Sequence, residues 1–142
     1  IEEMRNGIYA ARVSAHDVRA ANVEIMIHAA TLGGAKALGR DDIGRIAPGA
    51  KADFFTVDLD DPSMRPVFDP LRSLVYSAGD RPVRDVYVDG ARVVNDGTAL
   101  AFDMDDALTR LEAAQKASVA EVHKYDWAGR PAETLMPPAF GA

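Results

Sequence analysis

The sequence predicts a mixed α/β chain in which helices come first, short strands follow and a helix closes the order. Three observations carry this prediction. Val23, Met26, Ile27 and Ala30 fall at i, i+3, i+4 and i+7, the spacing of one helical face. The period changes at Arg40, beyond which Pro48-Gly49 and Asp89-Gly90 punctuate runs rich in Val and Phe. A new helical stripe then begins behind Asp103.

Ile1 to about Val13 carries Met4, Ile8 and Ala11 at helical spacing, although Gly7 costs about 1 kcal/mol relative to alanine inside a helix. Ser14-Ala-His-Asp17 reads as a capping box, and Asn22 as a second N-cap candidate for the helix that follows. Gly33-Gly34 is expected to end or kink that helix, with one further turn over Ala35–Leu38. Pro48-Gly49 suits the two central positions of a type II turn, where proline presets φ and glycine accepts a positive one. It leads into a strand over Ala52–Leu59, built around Phe54, Phe55, Val57 and Leu59. Residues 60–70 read as loop, and Leu71–Ser77, with Leu74, Val75 and Tyr76, as another strand.

Val86-Tyr-Val88 and Arg92-Val-Val94 flank Asp89-Gly90, the dipeptide favoured by type I′ hairpins, and Asp96-Gly97 offers a second turn. Asp103 is expected to cap a last helix with Met104, Leu108, Leu111, Ala114/Gln115, Val119 and Val122 on its stripe. From Tyr125 the tail is rich in Pro and Gly, and Trp127 and Phe140 suggest that it lies against a surface. The strand region, about 41–100, is too short for a closed sandwich with its own core. Its strands are expected to complete a sheet begun elsewhere. The first residue is Ile1, and Ile1–Arg5 reads as helix already under way, so the chain is expected to be a piece of a longer polypeptide.

With 142 residues, 48% of them hydrophobic and 27% charged, the chain can bury a core. It carries 16 basic against 22 acidic side chains, a formal charge of −6, which argues against nucleic acid as a partner. Cysteine is absent, which excludes disulfides, thiolate metal sites and a cysteine nucleophile. That absence fits a reducing compartment, and a cytoplasmic location is expected. No apolar run approaches the roughly 18–20 residues of a membrane span, so no membrane partner is expected.

Candidate chemistry is sparse. His16, His28 and His123 form no close ligand pair, and each has an ordinary structural reading: a capping segment, the edge of an apolar helix face, and a helix C-terminus. Asp58, Asp60 and Asp61 resemble the start of a calcium loop, but Ser63 and Asp69 stand where such a loop needs Gly and Glu. Asp103, Asp105 and Asp106 fit the first turn of a helix, and Arg81 and Arg84 are expected in solvent. No nucleophile elbow, phosphate loop or dinucleotide fingerprint occurs. No catalytic, cofactor-binding or metal-binding residue is assigned to this chain.

Three blocks in order carry a resemblance. They are Ala30-Thr-Leu-Gly-Gly-Ala35, then Ile43-Gly-Arg-Ile-Ala-Pro-Gly-Ala-Lys-Ala-Asp53, and finally Val83-Arg-Asp-Val-Tyr-Val-Asp-Gly-Ala-Arg-Val-Val94 followed by Gly97. Together they resemble the C-terminal part of the metal-dependent amidohydrolase superfamily, in its cytosine-deaminase-like and triazine-hydrolase (chlorohydrolase-like) branch. Ile1-Glu-Glu-Met-Arg5 resembles the helix that follows the last barrel strand. The resemblance implies a C-terminal fragment of a (β/α)8 barrel protein, whose barrel alone takes about 250 residues.

Residues 1–40 would be the last barrel helices, 41–100 strands of a small composite β-sandwich, 101–124 a C-terminal helix, and 125–142 a tail packed on a surface. The implied activity is hydrolysis of non-peptide C–N bonds in N-heterocycles, amidines, ureas or amides by hydroxide on zinc or iron. The metal would be held by residues outside this chain. Implied partners are the rest of the parent chain, a small-molecule substrate and, for the assembly, a second copy in a homodimer. Within the resemblance, Gly33 and Gly34 would permit close helix–helix approach, and Asp53 would hydrogen-bond the amides of the Pro48-Gly49 turn. Two other readings use the same scaffold: a non-catalytic interaction module, and a subunit of a split enzyme.

Overall fold

Glu2 and Glu3 place two carboxylates in the first turn of α1 (Glu2–Ala15), and Arg12 places a cation in its last, as the helix dipole favours. His16 stops the helix in a left-handed conformation, φ 51°, with its N–H returned to the carbonyls of Arg12 and Val13. Ser14 therefore lies inside α1, and the Ser14–Asp17 capping box does not form. Asn22 is the N-cap of α2 (Val23–His28), its side-chain oxygen accepting from the Ile25 N–H at 2.9 Å.

The structure is a computed structural model that describes residues 1–140. The chain divides into two compact units, Ile1–Leu100 and Ala101–Ala142.

In the first unit α2 runs on through a π-helical turn, Ala29–Gly33, into α3 (Gly34–Ala37) without leaving helical backbone angles. Gly33-Gly34 thus does not end the helix, and among the described residues the atoms nearest to a Cβ on either glycine belong to His28 and Ala29 of the same helix. A Cβ on Gly33 would lie 3.2 Å from the carbonyl oxygen of His28 in the same helix. Val23 is buried and Met26 and Ile27 pack beside it, while Ala30, within the wide turn, is exposed. Thr31 Oγ1 donates to the Ile27 carbonyl at 2.7 Å, satisfying an acceptor within this turn.

Leu71–Ser77 is helical, not a strand. Asp69 accepts from the N–H groups of Leu71 and Arg72 at 3.1 Å each, and Pro70 occupies the first turn of α4 (Pro70–Ser73). A second π-helical turn, Leu74–Ala78, continues it. The cap and the Asp-Pro start outweigh the β preference of Leu-Val-Tyr, and the helix buries Leu74, Val75 and Ala78 on one side. Two small cores result. Ile8, Val23 and Val75 form one with Met4, Met26, Ile27 and Tyr76 around them. Met64, Leu74 and Ala78 form the other with Ile1, Val57 and Val67.

The strands β1 (Phe54–Val57), β2 (Val83–Val88), β3 (Ala91–Asn95) and β4 (Thr98–Ala99) make an antiparallel meander in sequence order. Both Asp-Gly turns have positive φ at each central residue, 50° and 82° at Asp89-Gly90 and 47° and 75° at Asp96-Gly97, the type I′ signature. Phe54 pairs with Tyr87 in register, and their rings stack at 4.6 Å. No residue of β1–β4 is buried among the described residues. The observed elements are thus a mixed helix and strand set with one small antiparallel sheet.

In the second unit Asp103 accepts from the Asp106 N–H at 3.0 Å and starts α5 (Met104–Glu121), which a 3-10 turn, Val122–Lys124, extends. A short α6 (Ala132–Leu135) follows within the Pro- and Gly-rich tail. Trp127 and Phe140 are 90% and 91% exposed.

Candidate functional site

The three signature blocks meet where the first two helices hand over to the sheet. Gly44 makes the closest approach: with φ +79° it lies against the π turn, and a Cβ there would stand 2.7 Å from the Thr31 carbonyl oxygen. Glycine alone combines that backbone angle with that contact. Arg40 grips Asp42 through two hydrogen bonds, 2.8 and 2.7 Å, and this pairing holds the Asp42 carboxyl below the usual range. The Lys51 N–H donates to the Asp42 carbonyl at 2.7 Å. The Pro48-Gly49 turn between them closes as type II, with Ala50 N–H on the Ala47 carbonyl at 3.1 Å and φ +83° at Gly49.

Asp53 does not serve that turn. Its Oδ1 accepts from the Asp89 N–H at 2.5 Å, so it caps the hairpin turn 36 residues further on. Gly90 N–H meets the Ala52 carbonyl at 3.1 Å, and Lys51 Nζ reaches Asp89 Oδ2 at 2.8 Å, a contact that raises the Lys51 pKa. The Ala52-Asp53 end of the signature thus extends the β1–β2 ladder to the turn.

Asp85 is the second organiser, and the sequence alone does not single it out. Only 13% of its side chain is exposed. It accepts from the Asp96 N–H and from Thr56 Oγ1, each at 3.2 Å, and pairs with Arg92 Nη2 at 3.2 Å. The Asp96 N–H is the main cause of its lowered pKa; partial burial opposes it, and Arg92 and Thr56 add to it. This one carboxylate ties three strands to the second I′ turn. The signal that finds it is the Asp-Gly at 96–97, whose first amide needs an acceptor.

Each of these carboxylates accepts from an internal donor or pairs with a cation. The same holds for the loop acids: Asp58 takes the Asp60 N–H at 2.8 Å, Asp61 takes the N–H and hydroxyl of Ser63, and Asp60 pairs with Arg65. Asp103 takes the Asp106 N–H, and Asp106 faces Arg110 at 3.8 Å. Arg81, expected in solvent, is exposed but also caps the second π turn, donating to the carbonyls of Ala78 and Ser77 at 3.0 and 2.9 Å. Arg84 faces Asp96 at 3.5 Å.

His16, His28 and His123 are exposed and stand on different elements. His28 borders an open groove of about 620 Å³ shared with Leu32, Lys36, Arg40, Ile43 and Arg45. Among the described residues no three His, Cys, Asp or Glu side chains stand close enough to hold a metal ion, and no helix is long and apolar enough to cross a membrane.

What this arrangement can do is join a helix to a sheet. The description "Amidohydrolase family" matches residues 1–93. A 5-methylthioadenosine/S-adenosylhomocysteine deaminase of Nitratidesulfovibrio vulgaris is 38% identical over 106 residues, 75% of this chain and 24% of that protein. A 5'-deoxyadenosine deaminase of Methanosarcina mazei is 34% identical over 122 residues, 86% of this chain and 28% of that protein.

Among solved structures, an adenosine deaminase from Xanthomonas campestris with bound zinc superposes with a TM-score of 0.75 at 32% identity, covering 81% of this chain and 26% of its own. An atrazine chlorohydrolase from Arthrobacter aurescens TC1 in complex with zinc shares the fold, with a TM-score of 0.70 at 24% identity, over 79% of this chain and 25% of its own. The chain spans about a quarter of the length of the curated relatives it matches. The motif resemblance, the family match over both the helical and the strand blocks, and the superposition agree: the chain belongs to the amidohydrolase family.

Proposed function

We propose that these 142 residues are the C-terminal segment of a metal-dependent hydrolase that removes an amino group from an N-heterocyclic substrate, water replacing the amine and ammonia leaving. The observation that carries this is the 38% identity over 106 residues to a deaminase of 5-methylthioadenosine and S-adenosylhomocysteine. The 5'-deoxyadenosine deaminase relative supports the same chemistry, so an aminopurine nucleoside is the substrate class to test first.

The solved relatives with zinc support a metal in the whole protein. The residues described here do not fit one, since no three His, Cys, Asp or Glu side chains among them stand close enough to hold an ion and the three histidines lie on different elements. The metal ligands are therefore assigned outside this chain, and residues 1–100 act as framework. Residues 1–40 close the barrel, 41–100 add strands to a sandwich shared with the rest of the polypeptide, and the helix and tail from 101 onward lie on its surface. The expected compartment is cytoplasmic.

The test is ammonia release by the natural gene product that contains these residues, loaded with zinc and offered 5'-deoxyadenosine, 5-methylthioadenosine and an aminotriazine. Release of ammonia from one of them supports the proposal. A folded, zinc-loaded product that deaminates none of them, with these residues intact, contradicts it.

A further inference from the structure

Tyr76, on the second π turn, gathers three arginines. The guanidinium carbons of Arg12, from α1, and Arg72, from α4, stand 5.9 and 5.8 Å from its ring centroid. Arg12 Nη2 donates to the Tyr76 hydroxyl oxygen at 2.9 Å, and Arg5 Nη1 donates to the Tyr76 carbonyl at 3.3 Å. Arg5 is balanced by Glu2 at 3.1 Å. Among the described residues neither Arg12 nor Arg72 pairs with any carboxylate. The Nε of Arg12 is buried and has no acceptor among the described residues.

A position in the last turn of α1 accounts for one cation. It does not account for a second on the same ring, or for a buried guanidinium N–H left unpaired, which costs free energy wherever it occurs. Both charges are uncompensated in a chain of net charge −6. Because the Tyr76 oxygen accepts from Arg12, its own proton is directed to another acceptor. Two guanidinium groups that no carboxylate among the described residues pairs with, beside a hydroxyl donor, match the oxygens of a phosphate or carboxylate, which guanidinium binds in pairs of parallel hydrogen bonds.

We propose that Arg12, Arg72 and the Tyr76 hydroxyl form an oxyanion-binding site. It does not depend on the deaminase reading, since it uses no residue of the signature joint.

The experiment is a titration with inorganic phosphate at fixed ionic strength, read by melting temperature and by the arginine Nε–H resonances. It is run on the 142-residue chain and on the longer gene product that contains it. The expected result is a saturable rise in melting temperature together with a shift of the Arg12 Nε–H resonance. Arg72 is exposed, so R72Q is expected to fold and to weaken phosphate about tenfold, the size of one lost charge-assisted contact. Tyr76→Phe is expected to weaken it less.

A response in both proteins assigns the site to a free anion. A response confined to the 142-residue chain assigns it to a carboxylate that the longer product supplies. No saturable rise in the 142-residue chain, or one unchanged in R72Q and R12Q, overturns the proposal.

Discussion

In the first unit, α1, α2 and the helical stretch 70–78 bury Ile8 and Val75 completely, whereas the four strands bury none of their residues despite a sequence rich in Val and Phe. The helices depend on side chains brought together from positions far apart in sequence. The sheet is held by neighbours: two I′ turns, stacked Phe54 and Tyr87, and the Asp53 and Asp85 carboxylates on backbone amides. The difference teaches how each part is held. The helices close a small core and also leave Val13, Ile25 and Leu71 exposed, while the strands have settled their backbone pairing and leave Phe55 and Val88 exposed. That is the behaviour expected of strands shared with further polypeptide.

The largest effect expected from breaking this contrast is at Ile8. Ile8→Ala leaves a cavity in the helical core beside Val23 and Val75 and is expected to cost about 2–5 kcal/mol, read as a lower denaturation midpoint. Gly44→Ala comes next. A Cβ 2.7 Å from the Thr31 carbonyl in a left-handed backbone must displace the π turn, at a cost of about 2 kcal/mol measured the same way.

Acid tests the sheet separately. The Asp85 carboxyl is held below its ordinary value of 3.8, first by the Asp96 N–H. Its contribution is therefore complete above that value and is lost as pH falls through the lower folded value. In Asp85→Asn the strand amides are expected to exchange faster at neutral pH, and their protection to lose part of its dependence on pH below 4. An unchanged acid profile would remove Asp85 from its organising role. The smallest effect is at Val88, which is 52% exposed. Val88→Thr is expected to stay within about 0.5 kcal/mol, which a denaturant titration resolves against Ile8→Ala.

What could be read in the sequence follows the same division. Asp89-Gly90, Asp96-Gly97, Pro48-Gly49 and the Asn22 and Asp103 caps depend on two to four adjacent residues, and all of them form as their chemistry dictates. Leu71–Ser77 misleads because Leu-Val-Tyr has the composition of a strand, and the decisive Asp69-Pro70 start lies just before it. Ser14 misleads because a good N-cap residue also sits comfortably in the last turn of the preceding helix. Asp53 was expected at the nearer turn, but strand pairing brings Asp89 to it from across the sheet. Arg72 and Tyr76 stand four residues apart on a helical stretch whose composition reads as strand, and only the packing of α1 brings Arg12 to them. Local turn chemistry is legible one residue at a time, and long-range convergence is not.

The claim at the centre of this account is that these residues are framework and hold no metal of their own. Native mass spectrometry of the folded 142-residue chain, after incubation with zinc and gel filtration, tests it most directly. The account predicts that the chain emerges at its apo mass. One zinc retained per chain, and lost when His28 or His123 is replaced, would contradict it.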